Sequence, residues 1–206
     1  MPEDPIIKAL YPFTTCDCSD ALLKLKYPNG GFLAGPTMWS PKRQEGDTKI
    51  IGRAYTIDSV PKGSVVFISS PPNIPNAVYG GLMSARAQTS GAVGTVVDGR
   101  IRDLQEHRDL GFPIFAHDIG TASPNELVKV VAIGVPVKIS SPHQDMTVNP
   151  GDYIVADLNG VVVVPQDLAE QAVQLMQPQV DADEKMAEVI KAGMSFTEAS
   201  KKFRSK

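Results

Sequence analysis

Apolar residues in this chain fall into short runs separated by Gly, Pro and Asn as far as about Pro165, and beyond that point they recur at helical intervals. The β-branched runs at 50–57, 64–69 and 94–99 predict strands, the last closed by the turn pair Asp98-Gly99. Between the second and third, 71–76 reads as a loop and 79–89 as a helix, which makes a strand, helix, strand unit. Upstream, Ser19 or Asp20 is placed to cap a short helix through Leu25, and Tyr27-Pro28-Asn29-Gly30-Gly31 breaks it. The polar stretch 39–49 reads as an exposed excursion. Apolar segments at 113–116, 128–133 and 135–139 follow, with Gly134 and Pro136 leaving helix or strand open. Residues 152–156 and 161–164 predict a hairpin through Asp157-Leu158-Asn159-Gly160, because Asn-Gly favours a positive-φ turn. Leu168, Ala172, Leu175 and Met176 then form one helical stripe that Pro178 should break or kink. A further helix is expected from near Val180 to Gly193, and Ser195 should cap another over 196–203.

Composition fits a soluble globular protein without assigning a role. The 206 residues, 42% hydrophobic and 21% charged, suit one domain over 1–206, with 167–206 a C-terminal helical extension. A net charge of −3 offers no basic field for nucleic acid, and the only basic cluster is the tail from Lys201. Cys16 and Cys18 stand one residue apart, too close for an ordinary disulfide, so a reducing, cytoplasmic setting is expected. Met1-Pro2-Glu3-Asp4-Pro5 has no secretory pattern, and no apolar run approaches the ~20 residues of a membrane span.

The candidate chemistry lies in two linked motifs. Gly80-Gly81-Leu82-Met83 opens the 79–89 helix, where backbone N–H groups at a positive helix end could face an anion. The strand from Gly94 delivers Arg102 and Asp103 to its C-terminal edge, where open α/β sheets hold ligands. Arg102 offers a planar fork for a carboxylate or carbonyl, and Asp103 offers hard oxygen to magnesium or manganese. The same residues would also serve as a turn and a surface ion pair, so spacing alone does not decide between the two roles.

Gly80-Gly81-Leu82-Met83-Ser84-Ala85-Arg86-Ala87 and Gly94-Thr95-Val96-Val97-Asp98-Gly99-Arg100-Ile101-Arg102-Asp103 resemble the core of the 4-hydroxy-4-methyl-2-oxoglutarate aldolase family, which also contains the regulator of ribonuclease activity A (RraA). Thr15 to Leu22 resembles its opening helix, and Pro150-Gly151-Asp152-Tyr153 through Pro165 its closing hairpin. The resemblance implies an α/β, layered β/β/α swivelling-domain (RraA-like) fold with C-terminal helices. It also implies a ring-like homo-oligomer, a trimer or a hexamer. The implied activity is a metal-dependent (class II) pyruvate aldolase that cleaves 4-hydroxy-2-oxo acids and decarboxylates oxaloacetate, both through a pyruvate enolate. In that pattern the backbone of Gly80, Gly81, Leu82 and Met83 binds substrate, Arg102 contacts its oxo-acid end and Asp103 ligates Mg2+ or Mn2+. Many members carry an aspartate where this chain has Gly81; a second pattern has glycine there and an acid three positions after the Asp, which matches Glu106 as a metal ligand, direct or through water. A solvated helix residue is the other role open to Glu106.

Three histidines lie outside this pattern. His107 is expected on a helix surface, and structural roles are expected for His117, at a strand end, and for His143, in a polar turn. No His-Glu-x-x-His helix or paired Cys motif points to zinc. Lys62 and Lys129 read as surface lysines, although a Schiff-base role stays open for either. Two other functions stay open as well: a non-catalytic regulatory binding protein and a lyase for a different 2-oxo acid.

Overall fold

The structure is a computed structural model that describes residues 4–55, 60–124, 128–139, 141 and 144–204. Two helices open it, α1 (Pro5–Leu10) and α2 (Thr15–Lys24). α2 starts earlier than Ser19 or Asp20. Thr14 caps it instead, accepting from the Asp17 N–H while the Asp17 carboxylate accepts from the Thr14 N–H, so two otherwise orphaned amides are bonded. Across the fold, Asp157 accepts from both the N–H and the hydroxyl of Thr15, tying this helix start to the hairpin near the other end of the chain.

The strands are β1 (Phe32–Leu33), β2 (Thr37–Ser40), β3 (Ile50–Tyr55), β4 (Val65–Ser69), β5 (Ala77–Tyr79), β6 (Gly94–Ile101), β7 (Ile114–Ile119), β8 (Val137–Lys138), β9 (Thr147–Val148), β10 (Tyr153–Asp157) and β11 (Gly160–Val164). Helix α3 (Gly81–Thr89) joins β5 to β6 and α4 (Leu104–Asp109) joins β6 to β7; α5 (Ala169–Lys191) and α6 (Phe196–Phe203) close the chain. Nine strands form one sheet in the order β1-β11-β10-β3-β4-β6-β7-β2, with β5 beside β6. β3, β4, β6 and β7 run parallel, and both flanks are antiparallel.

Alternation along the strands makes three apolar layers. Val66, Val97 and Ile101 face α3 and α4 in one cluster. Val155, Val162 and Val164 face α1, α2 and α5 in a second. Val65, Phe67 and Val96 point the other way, into a cluster that also holds Leu33 of one edge strand and Met38 of the opposite edge strand. Residues from both edges sharing one core means that the sheet curls on itself, and Ile139, Met146 and Val148 close the open side. This is the expected α/β architecture with C-terminal helices.

Several local expectations change. The hairpin forms in the expected place, with the positive φ of the Asn-Gly pair at Gly160 (φ 135). β6 continues through Asp98-Gly99 to Ile101 instead of ending there: its pairing with β7 shifts register between Val97 and Arg100, and Asp98 is buried and paired within the sheet. The 39–49 excursion begins inside β2, where Trp39 Nε1 donates to the Ala116 carbonyl and the Arg43 guanidinium lies 3.8 Å above the indole. Described residues 128–136 belong to no regular element, and Val131 is 95% exposed. α5 continues through Pro178 in place of two separate helices. The lost N–H falls on a solvent-facing position, while Ala172, Met176 and Met186 keep the helix docked. Among the described residues, no helix is long and apolar enough to cross a membrane.

Candidate active site

The site forms where β5 and β6 end. Ile101 closes β6, and the Arg102 N–H donates to the Tyr79 carbonyl at 2.9 Å, so the last residue of β5 and the residue after β6 are locked side by side. Gly80 then caps α3 on one side, and Asp103 caps α4 on the other. The expected helix at 79–89 therefore starts two residues later, after a short parallel strand.

Both glycines are required by close approach. Gly80 is extended (φ −140, ψ 179), a conformation open to any residue. A Cβ on it, however, would stand 2.6 Å from Asp103 Oδ2 and 3.4 Å from Arg102 Nε. A Cβ on Gly81 would stand 1.9 Å from Glu106 Oε2. The two missing side chains thus leave room for two carboxylates that come across from α4. The Gly81 N–H donates to Asp103 Oδ2 at 3.1 Å, and Arg102 Nε lies 3.5 Å from the same oxygen. Arg102, Asp103 and Glu106 are brought together on the Gly80-Gly81 turn, and Glu106 occupies the space an aspartate at position 81 would fill. Asp103 itself is left-handed (φ 60, ψ 42), a strain of roughly 1–3 kcal/mol for a residue other than glycine.

The arrangement suits a hard divalent cation. The Asp103 and Glu106 carboxylates converge there, and magnesium sites commonly use one or two carboxylates with water and substrate completing the shell. Among the described residues no group of three His, Cys, Asp or Glu side chains is close enough to hold a metal without such help. Arg102 and Asp103 are part-exposed, with 40% and 33% of their side chains open to solvent, so a small anion has access to both. Met83 is half-buried. It lines a groove of about 700 Å³ with Ile68, Val78, Lys129, Ile133 and Val135, while the Leu82 side chain is 85% exposed.

His107 departs from its expected surface position. It is fully buried, and its ring stacks on Tyr79 at 5.9 Å between centroids. Burial pushes the imidazole below its ordinary range, opposed by the Arg102 backbone carbonyl and more weakly by the Asp103 and Glu106 charges. His117 does have a structural partner. It lies inside β7, with Nε2 2.8 Å from Oδ1 of the buried Asp98, and Asp98 Oδ2 accepts from Ser69. Asp98 shares the inward face of β6 with Val96, a period-2 signal that the apparent turn pair concealed. His143 lies outside the described residues. Lys62 packs beside Gly91, at the sheet edge where β6 begins and so opposite Arg102, which removes it from this chemistry.

The RraA-like family model, described as Aldolase/RraA, matches residues 15–163. The chain belongs to the RraA-like family. Protein DlpA of Legionella pneumophila is 31% identical over 89% of this chain, a match that spans 30% of DlpA. A Halalkalibacterium halodurans protein, provisionally named 4-hydroxy-4-methyl-2-oxoglutarate aldolase, is 32% identical over 59% of this chain and 56% of its own length. The chain therefore spans about half or less of these two relatives. A crystal structure of an uncharacterized protein from Pseudomonas syringae pv. tomato superposes with a TM-score of 0.82 at 29% identity, covering 95% of this chain and 96% of that one. The two proteins thus share one fold over nearly all of this chain.

Proposed function

We propose that this protein is a divalent-metal-dependent pyruvate aldolase that cleaves 4-hydroxy-4-methyl-2-oxoglutarate-type acids and decarboxylates oxaloacetate. One observation carries the reading: Arg102, Asp103 and Glu106 converge on a turn whose glycines leave room for them. The relatives named as aldolases support the same class of carbon–carbon lyase.

In the aldol reaction the 4-hydroxyl loses its proton, the C3–C4 bond breaks, and its electron pair moves through C2 onto the 2-oxo oxygen, giving the pyruvate enolate and a carbonyl product. Protonation at C3 completes pyruvate. Oxaloacetate loses CO2 with its bonding pair moving to the same oxygen. Arg102 binds the oxo-acid end and holds its guanidinium where that negative charge grows. Asp103 and Glu106 would hold Mg2+ or Mn2+, which when bound supplies Lewis-acid stabilisation of the developing charge. The Gly80-to-Met83 turn orients the oxo acid at the start of α3.

The working form we propose is a homotrimer or hexamer. Leu82, Val130 and Val131 are 85%, 75% and 95% exposed, and a second copy would cover this apolar surface beside the site. The two free cysteines fit a reducing compartment such as the cytoplasm.

Pyruvate release from oxaloacetate and from 4-hydroxy-4-methyl-2-oxoglutarate, with Mg2+, Mn2+ or chelator and after subtraction of the metal-only rate, tests the proposal. Metal-dependent turnover lost in Asp103→Ala supports it. No turnover of either acid would shift the assignment to another 2-oxo acid or to a non-catalytic binding role.

A further inference from the structure

Tyr79 reaches both halves of the site through different atoms. Its carbonyl accepts from the Arg102 N–H at 2.9 Å, which sets the Arg102-Asp103 turn, and its successor Gly80 begins the turn that receives the carboxylates. Neither half is held firmly by backbone pairing. β5 is a three-residue strand whose ladder with β6 shifts register between Ala77 and Tyr79, and Gly80 brings no capping side chain to α3. The Tyr79 side chain supplies what the backbone lacks. Its hydroxyl accepts from Ser84 Oγ of α3 at 3.3 Å and lies 3.1 Å from Thr95 Oγ1 of β6. Thr95 is fixed in mid-sheet, paired with Val66 of β4 and Ile114 of β7, and the Ser84 N–H donates to the Gly80 carbonyl at 3.2 Å. All three side chains are buried, so their hydroxyls bond one another in series where unpaired they would each destabilise the apolar layer. Burial pushes the Tyr79 phenol above its ordinary 10.0, against the hydrogen bonds with Ser84 and Thr95, and it stays a neutral hydroxyl.

We propose that Tyr79 is a positioning residue for the oxo-acid site: through the Ser84–Tyr79–Thr95 hydroxyl chain it fixes the start of α3 on β6, and through its carbonyl it holds the Arg102 turn, so that Gly81, Arg102 and Asp103 keep one mutual geometry. The inference rests on the reading of that turn as a cation and oxo-acid site. The hydroxyl chain lies in the core, beneath the solvent-open side chains of Arg102 and Asp103. Small shifts of α3 matter because the Gly81 amide, at 3.1 Å, and Arg102 Nε, at 3.5 Å, meet at one Asp103 oxygen.

The test compares Tyr79→Phe, Ser84→Ala and the double variant with the wild type, and uses Val66→Ala as a control that weakens the same apolar cluster but leaves the hydroxyls in place. Each protein is followed by thermal unfolding, hydrogen exchange at the Gly81 amide, Mn2+ binding in electron paramagnetic resonance, and kcat and KM for oxaloacetate. Removing the Tyr79 hydroxyl should quicken Gly81 exchange and lower Mn2+ affinity and kcat by roughly 10-fold each, with KM changing less. Ser84→Ala should do the same, and the double variant should add little to either, because both changes break one chain. Val66→Ala should lose stability at wild-type Gly81 exchange and Mn2+ affinity. Wild-type exchange and Mn2+ affinity in Tyr79→Phe would overturn the proposal, and Ser84→Ala decides in the same way if Tyr79→Phe does not fold. Site losses in Val66→Ala as large as those in Tyr79→Phe would also overturn it, because they mark packing alone. A wild type that turns over no 2-oxo acid overturns the aldolase reading separately, and Gly81 exchange still decides the role of Tyr79.

Discussion

Arg102 shows how one residue can be read from its type and misjudged from its neighbours. Beside Asp103 it has the form of a surface ion pair, yet its Nε points to a carboxylate already held by the Gly81 amide. Arg102→Ala should lower kcat by about 100-fold or more, the scale of a lost charge-stabilising donor, with an unchanged unfolding curve. Asp103→Ala should remove the dependence on added Mg2+ or Mn2+ together with most turnover, and full rates at low metal would rule out the proposed ligand. Glu106 is tested by the space it fills. Gly81→Ala should displace it and reduce activity more than Glu106→Ala does, whereas Gly81→Asp combined with Glu106→Ala should recover activity by returning a carboxylate from the other side of the turn. Equal rates for Glu106→Ala and wild type would leave it an ordinary helix residue. Gly80, Gly81, Arg102 and Asp103 stood out as a set through their likeness to the family's core motif, since a double glycine before a helix and an Arg-Asp pair after a strand are each common by themselves. The burial of His107 was not legible, since a helix of six residues has too little periodicity to show which face is inward.

At the scale of elements, capping chemistry was read better than boundaries. Ser195 and Glu198 form the capping box that starts α6, and Gly193, with φ 98, ends α5 where expected. Pro178 did not stop α5, because tertiary contacts through Met176 and Met186 on the inner side outweigh one missing bond on the outer side. Pro178→Ala should therefore stabilise the protein, by about 1–3 kcal/mol in chemical denaturation, with no effect on turnover. The first helix went unseen because it depends on a distant partner: Asp4 caps α1 and also pairs with Arg53 at 2.8 Å. Burial alone would raise the Asp4 carboxyl, but the Arg53 hydrogen bond and charge and the Ile6 amide outweigh it and hold it below its ordinary 3.8. The folded value is thus lower than the unfolded one, so this contact contributes fully above about pH 4 and is lost as pH falls through the folded value. Exchange at the Ile6 amide should quicken over that acidic range in the wild type, and Asp4→Asn should abolish the dependence.

For the whole molecule, the apolar surface around Leu82, Val130 and Val131 is the feature that a single chain leaves unexplained. Val131→Asp should convert the proposed trimer or hexamer to monomer in light scattering after size exclusion, while a wild-type monomer would remove the oligomer from the proposal. The sequence by itself determined the alternation of strands and helices, the hairpin at Asn159-Gly160, the polar ends of α6 and the presence of an anion-and-cation motif after β6, because each depends on residues within a few positions of one another. Only the tertiary structure decided that β1 and β2 at opposite edges share one core, that Asp98 spans β6 and β7 to meet His117, and that the carboxylates of α4 enter the space left by Gly80 and Gly81. Those outcomes depend on how strands order and how the sheet curls. That order is set by the burial of apolar faces contributed from distant parts of the chain, which local spacing does not encode.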